Sequence, residues 1–310
     1  GRRGRGAEGA GGFVKVGAAP ISWGVSEFPE WGRQLPYQRV FDEMAQAGYE
    51  GTELGPPGYL PLDAALLKDE LARRGLAMIA AFVPVNMRSR AAAAKALAGV
   101  RRTAELLAAS GAREIMVADE GDRRRHAIAG RADQTARAGM TADEWQALVD
   151  GLHEAARMCG DLGLTLCVHP PAGSYIEHPD EIARLMDATK PELVKLCFDS
   201  GHVAFGGGDP LAAARAYASR IGLVHLKDID MDRLRAGLAE GKSYVQLAQA
   251  DSFVALGEGS LDLPAIVDAL RADGYAGWLV VEQDRVVHED TDTLADAVRN
   301  REYLRNACGL

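Results

Sequence analysis

The sequence predicts an α/β fold, a single (β/α)8 TIM barrel, on three observations. Short apolar runs alternate with amphipathic stretches, eight of each, along the chain. The runs are apolar on both sides, as parallel strands covered on both faces must be. No glycine-rich phosphate turn follows the first run: Ala18-Ala19-Pro20-Ile21-Ser22-Trp23-Gly24 lacks G-x-G-x-x-G, which argues against an open dinucleotide-binding sheet.

Taken in order, the expected strands cover 13–19, 51–54, 77–83, 114–118, 164–169, 194–199, 222–227 and 278–282. The expected helices cover 37–47, 62–74, 91–110, 142–162, 179–188, 210–218, 263–273 and 293–307. Asp180 and Asp209 beside Pro179 and Pro210 mark helix starts, and Gly48, Gly75, Gly111, Gly163 and Gly274 mark helix ends. Two longer loops, 119–140 and 230–253, follow strand C-termini and so rise from the face where barrels carry their chemistry. No repeat or linker divides the chain, so one catalytic domain is expected over 13–310. Residues 1–12, rich in Gly and Arg, read as a disordered tail and not as a secretory signal.

The chain has 310 residues, 47% hydrophobic and 25% charged, enough for one large core without disulfides. Its four cysteines, Cys159, Cys167, Cys197 and Cys308, form no C-x-x-C pair, and three of them sit in apolar segments where buried inert thiols are expected. A net charge of -9 without a basic stripe argues against nucleic acid as a partner. No apolar run approaches the roughly 20 residues of a membrane span. A cytoplasmic protein acting on a small molecule is expected, and self-association through exposed loops is compatible with it.

Chemistry-bearing residues gather at the ends of the late strands. The fifth ends in His169, followed by a loop carrying Glu177; the sixth ends in Asp199-Ser200-Gly201-His202; the seventh in His225-Leu226-Lys227-Asp228; the eighth in Glu282-Gln283-Asp284. In a barrel these ends converge. Asp199, His225 and Glu282, joined by Glu177 or His169, would form a carboxylate–imidazole set suited to Mn²⁺, Mg²⁺, Co²⁺ or Zn²⁺. Any one of them alone reads more readily as a helix cap or a structural histidine. Together they are hard to bury without a cation. Lys227 suits an oxyanion, or a salt bridge to Asp228. His202 suits substrate hydroxyls, or orients Asp199. Trp23 suits an apolar wall for a sugar ring, or the core. Glu53, a carboxylate in a short apolar strand, suits a substrate or supporting role. Among the charges of 119–126 a solvated lid is expected, and Gly206-Gly207-Gly208 is a turn, not a nucleotide loop.

The segments "PISWG", "AGYEGTELGPPGYLP", "HPPAGSYIEHPDEI", "CFDSGHVAFGGGDPL", "IGLVHLKDID" and "LGEGSLDLPAIVDALRADGYAGWLVVEQD" resemble the xylose isomerase-like TIM-barrel superfamily, and within it the myo-inosose-2 dehydratase-like branch. The superfamily includes sugar isomerases and epimerases, endonuclease IV-type nucleases and inosose dehydratases. The resemblance implies one metal at the ends of strands five to eight, with Asp199, His225 and Glu282 at the matching ligand positions. Where many epimerases carry Glu at the end of strand five, this chain has His169. Glu177 is therefore expected as the fourth ligand, with His169 a neighbouring acid–base group or alternative ligand. Pro171 stands where the dehydratase pattern often has a second His.

The chemistry expected is proton abstraction next to a metal-bound carbonyl, on an inosose or related ketose, with Mn²⁺ the first expectation for the ion. Glu177, Glu282 and His169 are the candidate bases, and Lys227 the oxyanion partner. Isomerisation, epimerisation and dehydration all begin this way. An endonuclease IV-type nuclease would need more than the seven histidines present and a basic face. A non-catalytic sugar-binding barrel would be indifferent to added Mn²⁺.

Overall fold

Strand after strand, the chain adds a parallel neighbour until the sheet meets itself. The computed structural model describes residues 14–28, 31–135 and 138–310, so the expected tail lies outside the described residues, as does Phe13. The first half runs β1 (Lys15–Ala18), α1 (Tyr37–Ala47), β2 (Gly51–Thr52), α2 (Ala64–Ala72), β3 (Ala77–Met78), β4 (Phe82–Val85), α3 (Arg90–Ala109) and β5 (Glu114–Asp119). Short helices α4 (Arg123–Ala127) and α5 (Ala132–Thr135) follow, then α6 (Ala142–Asp161), β6 (Thr165–Val168), α7 (Pro179–Ala188) and β7 (Val194–Asp199). Next come α8 (Ser200–Phe205), α9 (Pro210–Ala216), β8 (Ile221–Leu226), β9 (Asp228–Ile229), α10 (Met231–Ala239) and α11 (Tyr244–Gln249). The chain ends with β10 (Phe253–Val254), α12 (Leu263–Ala272), β11 (Trp278–Val281) and α13 (Thr293–Cys308).

The sheet order is β3-β2-β1-β11-β8-β7-β6-β5-β4, with every pair parallel. β3 and β4 are the two halves of the expected third strand. Between them Ile79 N–H donates to Thr52 O and Ala80 O accepts from Leu54 N–H, while Ala81 O accepts from Met116 N–H, each at 2.9 Å. The third strand thus bonds to both neighbours and closes the barrel.

Alternation along each strand separates two cores. Outward residues such as Val117, Val168, Phe198, Val224 and Val281 pack against the helices. Inward residues Met116, Cys167, Cys197, Leu223 and Val280 fill the lumen with Ala19, Ile79 and Ala80. All four cysteines are free and buried, one more than the apolar segments alone imply.

Helix ends follow local chemistry. Thr141 and Glu144 form a capping box on α6, and Asp209 caps α9. For α7 the cap is the side chain of His178, whose Nδ1 accepts from Asp180 N–H, so Asp180 is a first-turn residue and not the cap. The two segments expected as loops after the fourth and seventh strands carry α4, α5, α10 and α11. Part of them packs into a third apolar cluster, Ala129, Ala204, Phe205, Ile229, Leu234, Leu247 and Phe253, above the mouth. Arg131 ties the two insertions together by donating to Leu238 O and Lys242 O. Among the described residues no helix is long and apolar enough to cross a membrane.

Candidate metal centre at the barrel mouth

Two residues beyond the inward apolar layer, the same inward face turns polar. Cys167 is followed by His169, Cys197 by Asp199, Leu223 by His225 and then Lys227, Val280 by Glu282 and then Asp284. The period-two alternation of strands therefore delivers these side chains to one place. All six are buried, from 0% exposed for Asp199 to 8% for Glu282.

His225 is the hub. Its Nε2 meets Glu53 Oε1 at 2.7 Å, so a proton on Nε2 bonds that carboxylate and leaves Nδ1 facing the late-strand carboxylates. Nδ1 lies 3.1 Å from Glu282 Oε2 and 3.6 Å from Asp199 Oδ2, yet makes no hydrogen bond. His169 Nε2 lies 3.2 Å from the same Asp199 Oδ2, while its Nδ1 is buried without a partner. Asp199 Oδ1 accepts from His202 N–H at 2.8 Å. Asp199 is thus oriented by the backbone of the "DSGH" turn rather than by the His202 imidazole, whose Nδ1 accepts from Ala172 N–H.

Lys227 stands among the acids. Its Nζ is 3.3 Å from Asp199 Oδ2, 3.0 Å from Glu282 Oε2 and 2.9 Å from Asp284 Oδ1. The alternative pairing with Asp228 does not form: that carboxylate accepts N–H bonds from Ile229, Gly257, Gly259 and Leu261. Gly201 leaves the room Lys227 needs, since a Cβ there would sit 2.7–2.9 Å from the lysine stem. Asp284 also accepts from Tyr244 of α11 and lies 3.5 Å from His202 Nε2. Neither Asp284 nor Tyr244 is among the site residues read from the sequence.

Burial opposes charge on every member, and the partners decide the outcome. For Asp199 burial is outweighed by Lys227 and the flanking histidines, which hold the carboxyl well below its ordinary range. For Glu282 burial is outweighed by His225 and Lys227, and the carboxyl sits at about 2. Asp284 is likewise lowered, against burial, by Lys227 and His202. Burial pushes His169 down to about 4, so its imidazole is neutral with a free lone pair. His225 is driven the other way: despite burial, Cys197, Glu282 and Glu53 favour its charged form. A nitrogen that attracts a proton between two buried carboxylate oxygens is also placed to bind a divalent cation. Donor atoms converge within 4.8 Å in two oxygen–nitrogen groups here, Glu53, His225 and Glu282, and His169, Asp199 and His202, and such mixed sets fit a divalent ion.

Two expected site residues stand elsewhere. Glu177 does not reach the cluster: its carboxylate accepts from Gly130 N–H and Gly173 N–H, stapling the insertion after β5 to the loop after β6. Trp23 faces the outer core, 1% exposed, with Nε1 donating to Glu43 Oε2 at 2.8 Å and its ring edge-on to Tyr49. The Pro20–Trp23 turn carries it away from the mouth. In the lid-like charges of 119–126, Arg125 pairs with Glu181 and Arg124 donates to Tyr175 OH.

The sequence profile of the xylose isomerase-like TIM barrel family matches residues 41–307. The chain belongs to this family. An inosose dehydratase of Geobacillus thermodenitrificans (strain NG80-2) is 33% identical over 302 residues, 96% of this chain and 98% of that protein. The fold is shared with a D-allulose 3-epimerase from Methylomonas sp. in complex with D-allulose, at 17% identity and TM-score 0.68, covering 96% of this chain and 98% of that one. It is shared too with the IOLI protein with a binding zinc atom, at 13% identity and TM-score 0.70, with the same coverage. At such identities these two structures speak to the fold alone.

Proposed function

We propose that this family member is a metal-dependent sugar enzyme whose favoured activity is dehydration of an inosose or related cyclic ketose. The observation that carries the reading is the convergence of His225 Nδ1 with Glu282 Oε2 at 3.1 Å and Asp199 Oδ2 at 3.6 Å, and of His169 Nε2 with the same Asp199 oxygen at 3.2 Å, at the barrel mouth. The full-length likeness to an inosose dehydratase supports the substrate class.

Asp199, His225, Glu282 and His169 would hold the ion, with His169 and not Glu177 as the fourth donor, because Glu177 is committed to two backbone N–H groups. Mn²⁺ is the first choice for this donor set, with Mg²⁺, Co²⁺ or Zn²⁺ as alternatives. When bound, a divalent ion supplies a Lewis acid that polarises a carbonyl and its neighbouring hydroxyl. Glu53 keeps His225 in the ligating tautomer through the 2.7 Å contact.

Glu282, ionised and in the mouth, takes the proton α to the carbonyl. Lys227, charged and 3.0 Å from Glu282 Oε2, gives a proton to the departing β-hydroxyl, so water leaves as the C–O bond breaks. The proton taken by Glu282 then returns to Lys227 across that contact, and both groups are restored. Asp284 holds the ammonium in place at 2.9 Å. Without departure of the hydroxyl, the same base returning its proton elsewhere gives isomerisation or epimerisation. The cap of α4, α5, α10 and α11 limits water at the mouth.

Incubation of the Mn²⁺-loaded protein in D₂O with a panel of inososes and open-chain ketoses tests this reading. Deuterium uptake next to the carbonyl, with loss of one water from an inosose, is expected. A protein that binds no divalent ion and exchanges no proton on any of them overturns it.

A further inference from the structure

The mouth of the barrel has two unlike walls. One is the charged arc of β7, β8 and β11, which presents Asp199, Lys227, Glu282 and Asp284. Across from it, the mouth-side inward residues of β4 and β5 are uncharged, and the one inward carboxylate of β5, Glu114, starts the strand at the opposite end of the barrel. Val83 and Val85 of β4 pack outward on the main core, so the alternation turns Phe82 and Pro84 inward. Register agrees: Phe82 pairs with Met116, a member of the lumen cluster, and Pro84 with the small, buried Ala118.

Phe82 is unusual among these inward residues because it is open. It is 37% exposed, one of four exposed large apolar side chains among the described residues, with Phe28, Leu62 and Leu66. At the same time its ring meets the buried imidazole of His169 edge-on, with centroids 5.5 Å apart and planes at 80°. A ring that faces the lumen and touches His169, yet keeps a third of its surface free, has that surface at the mouth. Trp23, which the sequence suggests for such a wall, is buried against Glu43 and cannot serve.

We infer that Phe82 is the platform on which the apolar face of a cyclic polyol lies, and that it selects a six-membered ring over an open-chain ketose. This rests on the sugar-enzyme reading and names the substrate shape within it. In a six-membered carbocycle with equatorial hydroxyls, the C–H bonds point to the two faces and the oxygens to the rim. One face can lie on an aromatic ring while the rim oxygens reach the charged arc. An open-chain ketose spreads its hydroxyls around a rotating chain and offers no such continuous apolar face. Pro84, exposed on the same side, extends the wall without adding a polar group that would compete for the rim.

The test compares Phe82→Ala and Phe82→Trp with the natural protein, all loaded with Mn²⁺. Binding of a cyclic hexol (inositol) and a linear hexitol (sorbitol) is measured by calorimetry, and KM and kcat for proton exchange on an inosose and an open-chain ketose by NMR. In Phe82→Ala, inositol affinity falls and inosose KM rises by about tenfold or more, linear ligands change by less than about twofold, and kcat changes less than KM. Phe82→Trp retains the cyclic preference. Equal losses for ring and chain, or no loss for either, overturn the platform while leaving the enzyme reading intact. A natural protein that exchanges protons on neither class overturns the enzyme reading itself, and the platform with it. Unchanged Mn²⁺ binding in both variants shows that the site has kept its fold.

Discussion

Replacing Lys227 with Met, which keeps the apolar stem and removes the ammonium, separates two roles that the ammonium plays. The group touches three buried carboxylates at 2.9, 3.0 and 3.3 Å. At an effective dielectric of about 20, one such contact is worth about 5 kcal/mol of Coulomb energy before desolvation. Breaking a buried ion pair on one side costs about 3–5 kcal/mol net, because the remaining charges stay behind unpaired. Metal-free Lys227→Met should therefore lose about that much unfolding free energy in urea with a chelator present. Saturating Mn²⁺ should recover much of the loss, since the ion supplies positive charge to Asp199 and Glu282. Because the lysine repels the ion from the same oxygens, calorimetric Mn²⁺ affinity should rise about tenfold, roughly 1.4 kcal/mol. Turnover should fall by about 10²- to 10⁴-fold with the loss of the proton donor. An unchanged stability in chelator, or a weakened Mn²⁺ affinity, would refute this account of the cluster.

Two further outcomes follow from groups outside the cluster. Glu177→Ala leaves the Gly130 and Gly173 N–H groups without their acceptor and should cost about 1–3 kcal/mol of stability, with Mn²⁺ stoichiometry unchanged; loss of the metal in this variant would return Glu177 to the ligand set. Glu114, at the start of β5, is raised by burial from its ordinary 4.5 to about 7, against the pull of Arg113, and its Oε2 has no partner. Its folded pKa lies above the unfolded one, so stability is full below about 4.5 and declines as pH rises to about 7. The full shift corresponds to about 3 kcal/mol, and partial solvent access reduces this to about 1–2 kcal/mol. Glu114→Gln should flatten the urea stability profile across that window, and a profile as steep as that of the natural protein would show that another group titrates there.

Most of the barrel was legible because parallel strands and their covering helices impose strong patterns. The expected helices 37–47 and 179–188 match α1 and α7 to the residue. The apolar pattern of the third strand is continuous over 77–83, whereas the strand breaks at Ile79–Ala81 to serve two neighbours, a consequence of closure that no local pattern carries. Asp199, His225, Glu282, Lys227, His202 and Glu53 were legible because a strand end in a barrel has a known destination. Asp284 carries the same signal, being two residues past Glu282 and so on the same face, but the sequence alone gives it no role. Trp23 and Glu177 stand apart from the cluster because both follow strand ends in sequence but belong to turns whose direction depends on distant partners, Glu43 for one and Gly130 for the other. Tyr244 was out of reach: it comes from α11, inside a stretch that read as a loop, and reaches Asp284 through the packing of the cap. Phe82 looked like any apolar strand residue until closure showed which face it takes.

Metal content bears most directly on the central claim. After loading with Mn²⁺ and removal of free ion, atomic absorption should find one divalent ion per natural chain and almost none in Asp199→Ala or His225→Ala, with all three proteins folded by circular dichroism. The same stoichiometry in all three would contradict it.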